Sequence, residues 1–446
     1  MMKYISYWLR TGLLIATLFT ISLSASANCK ITGVSQTEDN RSAQMLFGRI
    51  NLTDTYFQPV GSLLASIVVP PTAYTFGGAN ASSVLWICDE ADLPQLYFLV
   101  ATNGDDRVGG FHETGLIDGL PGVYASWLAY VGIKQTMAGV VVQRNWKRVP
   151  LTTYLLVEGT QPGKGQIHIR LQDIPPMQVE LYRVSTIPPS NAVSNYCSGL
   201  GTRGLGYASA TGTNYQCTQP NAYIQFVGPG IVHDNEGEDS AHNFRFWGVD
   251  NGFGYGLRQS VTLSNNATCV AKNATPLVLF PTISSQELLA GGTREADISV
   301  QIECSDNVNS GTTSGQTAIG IQVSPGAYRA AQGLNLINAQ GGVMALVSDN
   351  YGLDATLATG VGITLRNSVT QQSMVFVAQP GITGIGPSGE NVGWYPVLRD
   401  AKNLGPSVSG YTHYLHSYTA VLQQLPGQVI KPGKIHATAY VLVKVQ

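Results

Sequence analysis

Charge is scarce in this chain. Of 446 residues, 25 are Lys or Arg and 27 are Asp or Glu, so 12% are charged and the net charge is −2. So even a balance exerts no long-range pull on nucleic acid or an anionic membrane, and no Lys/Arg run supplies one locally. Nucleic acid is therefore excluded as a partner. Past the N-terminus no apolar run is long enough to span a bilayer. No two cysteines have C-x-x-C spacing, which excludes a zinc knuckle and a dithiol redox motif. There is no nucleophile elbow, and no carboxylate pair stands in a setting that would tune its pKa. An enzyme is not expected, nor is a cofactor or a bound metal. Helix-period segments are missing from the N-terminal half.

What is present reads as β structure. The chain has 50 Gly and 21 Tyr. Low charge with much Gly and many β-formers suits an all-β extracellular protein. Lys3 and Arg10 precede an apolar run over residues 13–21, and Ala25-Ser-Ala27 follows. That order is expected of a secretory signal peptide over residues 1–27, with Asn28 opening the mature chain. All six cysteines follow it, which implies disulfides in an oxidising compartment. Several pairings are open. Proximity favours Cys29–Cys88, Cys197–Cys217 and Cys269–Cys304.

From Asn28 to about Gly256, short apolar runs alternate with turn residues. Runs over 62–70, 83–88, 95–101, 138–143, 153–157, 166–171 and 178–183 read as strands of a sandwich or barrel. The largely polar stretch 259–268 reads as a linker. Beyond it Ile298, Val300, Ile302 and Cys304 alternate, as do Ile319, Ile321 and Val323. The sharpest alternation closes the chain. After Gly433, the residues Ile435, Ala437, Ala439, Val441, Val443 and Val445 fall on one side; His436, Thr438, Tyr440, Leu442, Lys444 and Gln446 fall on the other. A continuous apolar row at a chain end wants a partner strand, from its own sheet or another chain.

These features together resemble a two-domain tip adhesin of a chaperone–usher fimbria. They are the signal peptide, a long N-terminal β-domain and a shorter domain with an early cysteine pair. The run Gly-Val-Gly-Ile-Thr-Leu-Arg at 360–366 and the alternating strand opened by Gly433 complete the set. The resemblance is best over 269–446. Val445 departs from it, since many pilins carry an aromatic there. The resemblance implies two β-sandwich domains, a lectin-like one at 28–260 and a pilin domain at 265–446. The latter would be an immunoglobulin-like fold missing its seventh strand. It further implies donor-strand complementation, with Gly433 to Val445 beside the gap. The implied partners are a periplasmic pilus chaperone, an outer-membrane usher and the next fimbrial subunit. The route is export through the periplasm to the fimbrial tip at the bacterial surface. A whole domain stands where ordinary pilins carry a donor extension, which implies the tip position.

The N-terminal domain is then expected to bind a host or environmental glycan. In type 1 fimbrial adhesins, the mature N-terminus and the residues after the second cysteine build the sugar pocket. The matching places are Asn28 and the group Asp89, Glu90 and Asp92. A second polar loop holds Asn103, Asp105, Asp106 and Arg107, followed by His112. Trp127, and Trp146 beside Lys147 and Arg148, are candidate stacking faces. Both polar clusters also read as ordinary turn chemistry, and both tryptophans as core. His233 to His242 is acidic but lacks EF-hand order and H-E-x-x-H spacing, so it reads as a surface loop. The rival functions are adhesion to a protein or abiotic surface, and secreted glycan processing.

Overall fold

The computed structural model describes residues 28–38, 41–104, 109–161, 163–187, 220–245, 247–257, 262–379 and 388–446. The expected signal peptide, Cys197, Cys217, Asp105, Asp106 and Arg107 lie outside these residues. The protein is all-β. Eleven strands matter in the N-terminal unit: β1 (Arg49–Asn51), β2 (Leu63–Val69), β3 (Val84–Asp89), β4 (Tyr97–Thr102), β5 (Val131–Met137), β6 (Lys147–Pro150), β7 (Gln166–Arg170), β8 (Met177–Arg183), β9 (Ala222–Val227), β10 (Phe253–Gly256) and β11 (Thr262–Ser264). They form three main sheets. One holds β3 and β7; a second runs β6-β4-β9-β10; the third runs β2-β8-β5.

Burial explains the sequence of each strand. β4 and β9 lie mid-sheet with both faces covered, and all six residues of β9 are buried. Hence they read as unbroken apolar runs rather than alternation. β5, β7 and β8 alternate, and Ile133, Ile167, Ile169, Val179 and Leu181 point into one core with Trp86, Phe98 and Phe226. Trp86 stacks on Phe226 at 5.0 Å and donates its ring N–H to Asn251 Oδ1 at 3.0 Å. Cys29 and Cys88 are disulfide-bonded beside this core.

The C-terminal unit contains β12 (Cys269–Ala274), β13 (Arg294–Ser305), β14 (Thr317–Val323), β15 (Val361–Asn367), β16 (Lys402–Val408), β17 (Tyr411–Gln424) and β18 (Ala439–Val445). Two short helices, α1 (Ser285–Leu289) and α2 (Pro325–Gly333), join them. Ser284 and Ser324 cap these helices, each accepting a hydrogen bond from a first-turn N–H. One sheet runs β12-β13-β17-β15, with β16 also on β17; the other places β14 between β18 and the short strand Tyr395–Pro396. Val300, Ile302, Leu365 and Tyr418 of the first meet Ile319, Ile321 and Val323 of the second in one core. Cys269 and Cys304 are cross-strand partners in β12 and β13 and are disulfide-bonded.

The two cores share no residue. From residue 262 on, the stretch that reads as a linker is paired. β11 pairs in parallel with β1, and Asn51 Nδ2 donates to Asn266 O at 2.9 Å. Its polar side chains bond across the ladder, so polarity there signals pairing rather than a tether.

Candidate functional site

β18 pairs antiparallel with β14 from Val445↔Thr317 to Ala439↔Val323. Among the described residues no strand pairs with its other edge. Gln446 N donates to Gln316 O, and Ser324 N donates to Thr438 O, so even-numbered positions face β14. By the alternation of an antiparallel ladder, the N–H groups of Ala439, Val441 and Val443 point to the open edge. β12 is likewise the edge of its own sheet. The two edges converge where Thr317, the partner of Val445, donates its hydroxyl to Ala267 O at 3.3 Å. Away from that point no ladder joins them. Two unpaired edges of one sandwich thus flank a gap.

The floor of the gap is apolar and incompletely covered. Phe280 and Ile283, from the chain after β12, and Ile430 and Ile435, from the chain before β18, all pack around Leu288, Val361 and Leu422 and remain half-exposed. Ile298, Val441 and Val443 border the main core and are also only half-buried. Leu277 and Leu279 are 68% and 73% exposed. An exposed, long apolar edge is an aggregation hazard unless another strand covers it.

The expected strand from Gly433 is shorter than its pattern. Regular pairing begins at Ala439, and the alternating row divides. Val441 and Val443 pack on the main core, Val445 is buried, Ile435 joins the separate cluster, and Ala439 is exposed. Ala437 packs at the edge of the main core. Asp349 takes the place of a partner strand before Ala439. It accepts from Thr438 N at 3.1 Å, Thr438 Oγ1 at 2.7 Å and Ser324 Oγ at 2.5 Å. Gly433 fits tightly, since a Cβ there would sit 2.4 Å from Ala358 N. Leu442, on the face expected to be polar, packs beside Trp394 and Val377, because the segment around them covers that face.

Residues 257–446 match the family model described as Fimbrial protein. The C-terminal region is a fimbrial domain. A comparison with curated proteins found no match. Among solved structures, the chain is similar to the P pilus rod subunit PapA, at 18% identity and TM-score 0.24, over 41% of this chain and 93% of that one. It is also similar to the CupB6 tip adhesin from Pseudomonas aeruginosa, at 12% identity and TM-score 0.21, over 94% and 95% of the two chains. A third similarity is to the CsuC–CsuE chaperone–tip adhesion subunit pre-assembly complex of Acinetobacter baumannii. There the identity is 11% and the TM-score 0.20, over 93% and 99%. At TM-scores of this size none of the three fixes the architecture or the ligand of this chain.

Ahead of the fimbrial domain, the sequence-derived ligand residues scatter. The Cys29–Cys88 disulfide brings exposed Asn28 close to exposed Asp89. Glu90 accepts from Gly165 N at 3.1 Å. Asp92 is buried, and burial, then the charge of Asp89, pushes its carboxyl above the usual range. Asn103 is fully buried and its amide donates to Pro220 O at 2.8 Å, a contact that serves the fold. Trp127 is 1% exposed in the core and offers no stacking face. Trp146 is equally buried, its ring N–H donating to Asn243 O.

The acidic loop is internally stapled. Asp234 is buried and accepts from Gln225 Nε2 at 2.8 Å and from Arg245 N. Asp239 pairs with Arg144 at 2.8 Å. Ser240 Oγ donates to Thr102 O at 3.1 Å, which sets this loop against the end of β4.

Sequence reasoning missed the contact between the units. Glu303 lies on the face of β13 opposite the apolar row, where the pattern predicts solvent. It is 1% exposed. Lys272 Nζ reaches it at 2.6 Å, Tyr56 Oη donates at 2.9 Å, Ser407 Oγ also donates, and His413 Nε2 stands at 3.6 Å. Burial pushes this carboxyl up, but the donors outweigh it and hold it below the usual range. Tyr56 and Phe57 also pack on the Tyr411 ring, at 4.5 and 4.8 Å. Arg49 of β1 donates to Gln446 O and to Ser314 Oγ, both at 2.8 Å.

Proposed function

We propose that this protein is a fimbrial tip adhesin, with a receptor-binding domain at 28–260 and a strand-accepting pilin domain at 265–446. The observation that carries the reading is the gap between β12 and β18, two open edges over a half-exposed apolar floor. A strand inserted there would gain main-chain hydrogen bonds from both edges, with alternate side chains on the floor. A periplasmic pilus chaperone would supply it first, and the next subunit would replace it after passage through the outer-membrane usher. The fold completed in this way is an immunoglobulin-like sandwich with its seventh strand restored.

The segment ahead of β12 supports a tip position. Pilins that donate a strand need a free extension there. Here that segment is held in the β1–β11 ladder and by Asn51, so it serves the chain's own N-terminal unit. The subunit accepts a neighbour and has no strand to give from this place. A glycan is the ligand proposed for the N-terminal domain, and a surface-exposed fimbria is its setting.

Co-expression with a periplasmic pilus chaperone tests the reading. The full chain is expected to co-purify with it, and deletion of residues 434–446 is expected to abolish capture. Stable, chaperone-bound protein after that deletion would contradict the proposal.

A further inference from the structure

A second concavity lies on the N-terminal unit, apart from every candidate ligand residue the sequence singled out. It has a volume of about 560 Å³. That is within the range of sites for small ligands, roughly 300–1,000 Å³. One wall is the exposed face of the β2-β8-β5 sheet, with Val68, Thr136 and Gln178. The opposite wall is Thr152, Thr153 and the chain from Gln172 to Pro176. The rim is the tight turn Ala138–Gly139, with φ of 48° and 82°. A positive φ is uncommon for alanine and natural for a two-residue hairpin turn.

Its chemistry is neutral. Among the described residues the only ionisable one lining it is Asp173, which is buried. Its two carboxylate oxygens are held by Arg170 Nε and Nη2, both at 2.9 Å, so its charge is compensated before any ligand arrives. What remains is threonine hydroxyls and glutamine amides, which both donate and accept, beside the aliphatic surfaces of Val68, Ile174 and two prolines; the Gln178 amide also donates to Glu180 Oε1 at 3.3 Å and keeps its oxygen for a ligand. Hydroxyls with a C–H face are what such a lining complements. Among the described residues that line it, a phosphate, sulfate or sialic acid would find no free cation.

Its position suits an outward site. At one end of the β2-β8-β5 sheet, Arg183 Nη1 donates to Thr53 O, next to the residues that touch the fimbrial domain. The other end carries Val69, Met177 and Met137 in register. These strands are seven residues long, about 20 Å at the usual rise. The concavity is at that far end, turned away from the fimbrial domain. The Asn28–Asp89 place is separate: Asp89 pairs with Gln166 at one end of β7, and Gln172 follows the other end.

We infer that this cleft is the saccharide site of the N-terminal domain, and that its ligand is an uncharged oligosaccharide. The inference rests on the glycan-binding reading and gives it a place and a charge class.

The test applies the full chain to an array of neutral, sialylated and sulfated oligosaccharides, with three variants alongside. Thr153→Trp fills the cleft from an exposed position. Gln178→Ala removes one amide. Asp89→Asn alters the other candidate place. Unchanged melting temperatures show that the variants fold. The expected result is binding confined to neutral glycans, abolished by Thr153→Trp and about tenfold weaker with Gln178→Ala, as for one lost hydrogen bond. Asp89→Asn is expected to bind like the wild type. Neutral-glycan binding that survives both cleft variants, or selective binding of anionic glycans, overturns the inference alone. A wild-type chain silent across the array overturns the glycan reading and the inference with it.

Discussion

The phenol of Tyr56, from the N-terminal unit, donates a 2.9 Å hydrogen bond to the buried carboxylate of Glu303, from the C-terminal one. The carboxylate is held in common by Lys272 and Ser407 of its own unit and by Tyr56 of the other. Removing one donor leaves a buried charge partly satisfied, which costs more than the bond is worth in water. Tyr56→Phe is therefore expected to loosen the joint while both cores stay folded. Limited proteolysis of the full chain should cut faster between residues 258 and 268, with no new cuts inside either core. Unchanged cleavage would show that the ring contacts with Tyr411 suffice.

The same carboxylate sets an acid limit. Its pKa is depressed in the folded protein, so its stabilisation is fully present above the ordinary carboxylate range and is lost as pH falls below it. The joint should hold at pH 5 and open below about pH 4. Proteolysis with an acid-active protease, followed across that interval, checks the sign.

His416 gives a second pH dependence at a different place. It is buried, stacks on Tyr418, and its Nε2 faces Val397 O at 2.9 Å. Burial holds its pKa below the ordinary value. The unfolded chain then binds the proton first, so the fimbrial domain loses stability as pH falls from about 6.5. The melting temperature should decline between pH 7 and 5 in the wild type and decline less in His416→Gln. A flat wild-type profile would contradict the assignment.

The lead-in to β18 should depend on Asp349, which accepts from both Thr438 groups and Ser324. Asp349→Ala is expected to cost about 1–3 kcal/mol by leaving those donors unmet. Urea unfolding of the chain measures it. Replacing Cys269 and Cys304 together should cost about 3–4 kcal/mol, the loop-closure value for their separation of 35 residues.

Much of the architecture was legible because the strands carry their burial in their spelling. The apolar runs at 62–70, 83–88, 95–101 and 166–171 coincide with β2, β3, β4 and β7. Val441 and Val443 pack on the main core as their alternation requires, and Val445 is buried. What sequence could not show depends on the outer faces. Leu442 and Glu303 sit on faces that alternation assigns to solvent, and each is covered by a distant segment. Asn103 and Trp127 look like ligand groups in a polar loop and an aromatic pair, yet both are needed inside. The cleft escapes notice because Thr136, Thr153 and Gln178 are unremarkable singly and come from three separate segments.

The most direct test of the strand-acceptor account is amide hydrogen exchange on the full chain, with and without a synthetic donor peptide of about fifteen residues with alternating Val and Thr. A proline-substituted peptide, unable to complete the ladder, serves as control. The account predicts fast exchange at Ala439, Val441 and Val443 in the free chain, slowed only by the alternating peptide. Slow exchange at those amides in the free chain, unaltered by the peptide, would mean that the edge of β18 is already covered.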